Sequence, residues 1–165
     1  MLYTGWYEHT IDAKNRLSIP SAIRSRMDPE IDGTAFYLAP GESPVGPSLA
    51  LWPSRIFENH ARRVSGTAMR DPRRLVFDQL YYATACLLEL DKLGRVRLPE
   101  PMLRRIDVGR EVIIFGSRDH LEIQRREDFE AFLNQFLPKY AEVRQGAFES
   151  DRDAQRMGPN ALPEP

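Results

Sequence analysis

Ring-bearing and aliphatic residues alternate with polar ones on both sides of a tight break near the start of the chain. Tyr7, His9 and Ile11 precede the break, and Leu17 and Ile19 follow it. The pattern returns in the second half, with Leu88 and Leu90 before a break and Val96 and Leu98 after it. Period-two patterning around a short turn predicts a tight β-hairpin in each half, the first spanning 3–19. Each hairpin ends at a proline, Pro20 or Pro99, which stops a strand and can open a helix because the first helical turn leaves an amide unpaired. Short helices are predicted there, over Ser21–Met27 and around Met102, Leu103 and Ile106.

Beyond the hairpins the patterning predicts the remaining elements in order. Ala35–Ala39 and Leu49–Trp52 read as buried strands, separated by a Pro/Gly-rich loop at Pro40–Ser48. Pro53 opens a helix whose Ile56, Phe57, His60, Ala61 and Val64 share one face. Ser65–Asp71 is a polar link. Pro72–Leu80 reads as a helix, Tyr82–Leu90 as the strand entering the second hairpin, and Glu111–Phe115 with Leu121–Gln124 as a strand pair after the turn at Asp107–Arg110. Over Arg126–Tyr140 a stripe of Phe129, Phe132, Leu133, Phe136, Leu137 and Tyr140 predicts a long helix. From Gln145 the chain turns polar and is expected to be disordered.

The two hairpin turns are copies of one motif. Asp12-Ala13-Lys14-Asn15-Arg16-Leu17-Ser18-Ile19-Pro20 matches Asp91-Lys92-Leu93-Gly94-Arg95-Val96-Arg97-Leu98-Pro99 at an offset of 79 residues in a chain of 165. Asn15 and Gly94 occupy the position where the chain reverses, and these residue types tolerate φ > 0. The match extends further, from Phe36-Tyr37-Leu38 to Val112-Ile113-Ile114 and from Leu49-Ala50-Leu51 to Leu121-Glu122-Ile123. The chain is a tandem duplication of a β-rich unit with peripheral helices, an α+β pattern.

Composition narrows the function. The hydrophobic and charged fractions, 42% and 28%, are those of a soluble globular protein, and no run approaches the ~20 apolar residues needed to cross a bilayer. The N-terminus has no charged region leading into an apolar run, and Cys86 is the one cysteine, so a cytoplasmic protein is expected. Net charge is −1, yet residues 12–26 and 91–105 each carry a local excess of +3 around the motifs. Catalytic signatures are missing: there is no Gly-x-Ser-x-Gly elbow and no phosphate-binding loop. His9, His60 and His120 share no ligand spacing with cysteine or one another, and read as structural, strand or surface residues. No enzyme, cofactor, metal or small-molecule substrate is expected. Asp12 and Asp91 could be a pair of acids brought together by the duplication, or turn-capping residues that pair with the Arg four positions on. Arg16 and Arg95 either serve only that pairing, or are held by it while their free donors face phosphate or a guanine edge. Lys14 and Lys92 flank them and suit a phosphate backbone.

The pattern resembles the MraZ family of bacterial transcriptional regulators, built from two AbrB-like units. Its Asp-x-x-Gly-Arg signature before a Pro-started helix stands as Asp91–Arg95 with Pro99, and, with Asn for Gly, as Asp12–Arg16 with Pro20. Gly5–Thr10, Leu51-Trp52-Pro53 and Leu87–Leu90 also look like the family, and the resemblance covers about 1–140. It implies a duplicated, β-rich swapped-hairpin barrel with peripheral helices, in repeats 1–66 and 67–144 followed by a flexible tail, 145–165. It also implies a ring-shaped homo-oligomer associated with the nucleoid. Such a protein binds short direct repeats of double-stranded DNA upstream of the division and cell-wall gene cluster, usually as a repressor and without a cofactor. Carried onto this chain, Lys14, Arg16, Lys92 and Arg95 face DNA, supported by Asp12, Asn15, Asp91 and Gly94. The alternative of another class is an oligomeric interaction scaffold without specific DNA binding. An antitoxin or transition-state regulator usually carries one such motif per chain, and the duplication argues against it.

Overall fold

Eight strands and six helices follow one another in the computed structural model, which describes residues 2–64 and 72–157. The first half holds β1 (Trp6–Thr10), β2 (Arg16–Ser18), α1 (Ser21–Arg24), β3 (Ala35–Pro40), β4 (Ser48–Pro53) and α2 (Ser54–Val64). The second holds α3 (Pro72–Thr84), β5 (Cys86–Glu89), β6 (Arg95–Arg97), α4 (Glu100–Arg105), β7 (Glu111–Ser117), β8 (His120–Arg125), α5 (Arg126–Phe136) and α6 (Tyr140–Met157). The Ser65–Asp71 link lies outside the described residues. By its contacts the chain divides into two units, Met1–Phe129 and Glu130–Pro165.

Six strands form one antiparallel sheet in the order β1-β7-β8-β4-β3-β5, and β2 pairs with β6 in a separate two-stranded ribbon. The partners cross between the halves. β1 lies on β7, with Tyr7 opposite Ile114, and β5 lies on β3, with Leu88 opposite Phe36. Down the middle, β4 meets β8, pairing Leu49 with Ile123 and Leu51 with Leu121. These are the segments that the sequence matches as copies, so the duplication meets itself at the sheet centre. Each predicted hairpin is therefore corrected. The tight turn forms, but beyond it the arms leave one another and pair with strands of the other half.

The mixed α+β class holds, and the closed barrel does not. Among the described residues β1 and β5 remain the two edges of an open sheet, while the ribbon pairs only with itself. The ribbon strands are three residues long, and Pro20 and Pro99, which have no N–H to donate, prevent their extension into further pairing.

Alternation of side chains sorts the sheet into two faces. Phe36, Leu38, Leu49, Leu51, Val112, Ile114, Leu121 and Ile123 point to one face, each fully enclosed. They pack with Leu17, Ile19, Val96 and Leu98 of the ribbon segments, and with Ile23 of α1 and Met102 of α4. The other face carries Tyr37, which stacks on Phe57 of α2 at 4.4 Å, and Phe115, 4.9 Å from Phe129 of α5. The first unit is thus a ribbon with two short helices, a sheet, and a layer of longer helices.

Three predicted boundaries shift. The helix after Pro20 stops at Arg24, and Ser25–Met27 continue it only as turns. α3 runs past Leu80 to Thr84, so Tyr82 is helical rather than the start of a strand. Phe77 stacks on Tyr81 at 5.4 Å one helical turn away, and the Thr84 hydroxyl donates to the Leu80 carbonyl at 2.6 Å. The predicted helix to Tyr140 breaks at Leu137–Lys139, a 3-10 turn containing Pro138.

In the second unit, α6 then continues to Met157 where polar composition predicts disorder from Gln145. Pairs one turn apart support it: Gln145 Nε2 donates to Glu149 Oε1 at 2.9 Å, and the Arg144 guanidinium lies over the Phe148 ring. Residues 158–165 of the expected tail lie outside the described residues.

Candidate functional site

The two motifs fold into the same local structure. Asn15 and Gly94 both take left-handed backbone, with φ of 60° and 72°, as their residue types predict. The Asn15 N–H donates to the Asp12 carbonyl at 2.9 Å, and the Gly94 N–H to the Asp91 carbonyl at 2.8 Å. Each Asp side chain then collects the turn. Asp12 Oδ1 accepts from the backbone N–H of Lys14 and Arg16 at 2.8 and 2.9 Å. Asp91 Oδ1 accepts from those of Leu93 and Arg95 at 2.9 and 3.0 Å.

The second carboxylate oxygen holds the arginine. Arg16 Nε and Nη2 lie 2.7 and 2.6 Å from Asp12 Oδ2, and Arg95 Nε and Nη2 lie 2.8 and 2.7 Å from Asp91 Oδ2. The guanidinium's hydrogen bond, followed by its backbone N–H, brings each Asp pKa down to about 2, so both carboxylates stay ionised at neutral pH. The duplication does not pair the two acids with each other, because each is occupied by its own turn. In both copies Nη1 has no protein partner among the described residues. Each guanidinium is therefore fixed in direction with donors to spare, a geometry suited to planar or anionic acceptors.

Register places these groups on one surface. In the ribbon, Arg16 faces Arg97, Leu17 faces Val96 and Ser18 faces Arg95. Leu17 and Val96 are fully buried, so the alternate residues Arg16, Ser18, Arg95 and Arg97 make up the opposite face. Asp12 balances the charge of Arg16, while Arg97 across from it makes no ion pair among the described residues, so the face keeps an excess of positive charge. Sequence reasoning missed Arg97. Its signal is the period of two: in the strand after Gly94 it points the same way as Arg95. Because the ribbon is antiparallel, the two turns stand at its opposite ends, with exposed Lys14 on one and exposed Lys92 on the other.

The halves brace each other's turns. Arg110 donates to Asn15 Oδ1 at 3.0 Å and to the Asp12 carbonyl at 2.8 Å, while Arg24 covers Gly94 and donates through Nε to the Ile19 carbonyl at 3.1 Å. The backbone repeats the exchange: the Leu98 N–H donates to the Asn15 carbonyl and the Ile19 N–H to the Gly94 carbonyl. Substituting Gly94 by Ala is expected to be costly because the backbone there is left-handed; the Arg24 guanidinium that a Cβ would meet is a flexible end that can move aside. Strain of about 1–2 kcal/mol corresponds to a melting temperature lower by ~2–8 °C. Asn15→Gly, which keeps the turn and loses one exposed hydrogen bond, is expected to melt close to the parent; thermal unfolding of the two variants checks the contrast.

No group of three or more histidine, cysteine or acidic side chains that could hold a metal occurs among the described residues, and none of their helices is long and apolar enough to cross a membrane. His120, read from sequence as a strand or surface residue, opens β8 but is largely enclosed. Its ring lies between Asp119 and Glu122, at 2.9 and 3.1 Å.

Comparison with known proteins finds one family name. The family model described as "MraZ protein, putative antitoxin-like" matches residues 81–148, which include the second motif. The protein named Transcriptional regulator MraZ from Mycoplasmoides gallisepticum is 28% identical over 142 residues, 86% of this chain and 94% of its own length. Those of the same name from Mycoplasma mobile and Dictyoglomus thermophilum are 29% and 27% identical, covering 79% and 86% of this chain and 84% and 98% of their own. The two motifs, the strand exchange that they anchor and these matches along most of the chain make this protein similar to the MraZ regulators.

Proposed function

We propose that the chain is a sequence-specific DNA-binding transcriptional regulator that works as a repressor and not as an enzyme. The observation that carries this reading is the outer face of the ribbon, where two clamped guanidiniums, Arg16 and Arg95, stand with Arg97 between exposed Lys14 and Lys92. In this reading the arginines meet base edges and phosphates, the lysines meet the backbone, and Asp12, Asn15, Asp91 and Gly94 hold the turns. The names of the relatives support it, since each is called a transcriptional regulator.

The finer points follow the same reading. Repeats 1–66 and 67–144 form a swapped-hairpin pair whose turns approach DNA together. Several copies assemble into a ring in the cytoplasm, at the nucleoid, and engage short direct repeats upstream of the division and cell-wall genes. Support for self-association comes from α3 and the edge strand β5, which leave Leu75, Val76, Leu80 and Leu87 more than half exposed. With net charge only −1, affinity per subunit is modest, and a ring gains from repeated sites through avidity.

The test is binding to DNA from upstream of the protein's own gene, beside a scrambled duplex, at two salt concentrations. Preference for the native repeats is expected, with affinity falling by about 10–1,000-fold between 50 and 200 mM salt, because counterions are released at each phosphate contact. Equal or absent binding to both duplexes favours the interaction scaffold.

A further inference from the structure

On the helix-covered face of the sheet, away from the ribbon, lies a cavity of about 550 Å³ that shares no residue with the two motifs. That volume is typical of small-molecule sites. Its walls are aromatic: Trp52 from β4, and Phe77, Tyr81 and Tyr82 from α3. Phe77 and Tyr82 present about two-fifths of their surface to the outside. The Phe77 ring stacks on Tyr81 and carries the Arg74 guanidinium 5.5 Å over it, so this wall already holds one organic cation against an aromatic face.

The polar side of the cavity is acidic. Asp119 and Glu122 share the single imidazole of His120. Burial disfavours the imidazolium, but the hydrogen bonds to Glu122 and Asp119 outweigh it and raise its pKa. Trp52 stacks on that imidazole at 3.9 Å and locks its plane. Glu42 adds a third carboxylate and makes no ion pair among the described residues. The two arginines at the wall do not restore the balance. Arg74 is bound to Asp78 at 2.9 Å, and Arg118, at the exposed turn between β7 and β8, lies 3.9 Å from Asp119. Three carboxylates therefore meet the His120 imidazole and one loosely placed guanidinium, with the His60 ring also at the wall. Glu122 is only 4% exposed, and its Oε2 has no hydrogen-bond partner. The Tyr81 phenol registers the same field: burial, then Tyr82, Glu122 and Glu42, push its pKa up to about 12.

We infer that this cavity binds a small organic cation, an amine or guanidinium whose apolar or planar body lies against the aromatic wall while its positive end faces Glu42 and Glu122. The aromatic faces add attraction for a cation beyond their burial. Bulk carboxylate alone would draw any metal ion; aromatic walls select an organic one.

Calorimetric titration of the whole protein with agmatine, which carries an ammonium at one end and a guanidinium at the other, tests the assignment. Guanosine monophosphate serves as the planar anionic control. Saturable binding of agmatine alone is expected, accompanied by a change in Trp52 emission in a Trp6→Phe background. Glu122→Gln is expected to weaken binding at least ~10-fold, and Glu42→Gln, on an exposed loop where the fold is not at risk, by several-fold. Absence of saturable agmatine binding overturns the inference. So does preference for the nucleotide, or an agmatine affinity unchanged in Glu42→Gln and in folded Glu122→Gln.

Discussion

Replacing Arg16 and Arg95 together by alanine is expected to lower affinity for the native upstream DNA by 100-fold or more and to leave the protein folded and assembled. Both guanidiniums are already oriented by their carboxylates, so binding does not have to order them first, and each contact to a base edge is worth about 1–3 kcal/mol. Two such losses per subunit multiply. The folded state loses little by comparison, since both ion pairs lie at the surface, where such pairs contribute weakly, and the Asp Oδ1 bonds to the turn amides remain. Electrophoretic mobility shift beside size-exclusion chromatography separates the two readouts. Loss of the assembly or of the fold in the double variant would mean that the arginines are structural, and the DNA-facing assignment would fall. Arginine-to-lysine exchange at these positions is no rescue, because an ammonium cannot keep the two-nitrogen grip on Asp and point a second edge outward.

The largest expected loss of stability lies one residue away. Leu17 has no exposed surface and faces Val96, equally buried, across the ribbon. Leu17→Ala opens a cavity between ribbon and sheet and is expected to cost about 2–5 kcal/mol, a large part of the roughly 5–15 kcal/mol that holds a typical domain together. Denaturant unfolding followed by circular dichroism reads this as a lowered midpoint. Ser18→Ala, on the exposed face of the same strand, is the control, expected to unfold with the parent. A Leu17→Ala protein as stable as its parent would mean that the ribbon does not belong to the cooperative core.

Much of the site was legible in the chain because its chemistry is local. The φ of Asn15 and Gly94, the Asp cap and the Asp–Arg pair four residues on all follow from nine consecutive residues, and the duplication reports them twice. Partner choice was not legible. Alternation at Leu17 or Val96 says which side chains are buried, and nothing in it says that β2 meets β6 rather than β1. Arg97 shares the outer face with Arg95 by the period of two, and only its place opposite Arg16 is a matter of register. The aromatic run Phe77–Tyr82 suits strand and helix alike, and α3 kept it because ring stacking one turn apart favours the helix. Polar composition after Gln145 likewise says little against a helix that side-chain pairs one turn apart can hold.

The exchange of strands between halves also governs how the chain is made. Residues in register at β1 and β7 are some hundred positions apart, as Thr10 and Glu111 are, so a large share of the native sheet joins distant segments. While the ribosome is still adding the second half, β2 has no β6 and β1 has no β7, and the first motif waits with its apolar strands uncovered. Closure over such separations is slow. The nascent first half is accordingly the stage at which unpaired apolar strands lie most open to other chains, the condition that favours aggregation and strand exchange between two growing copies.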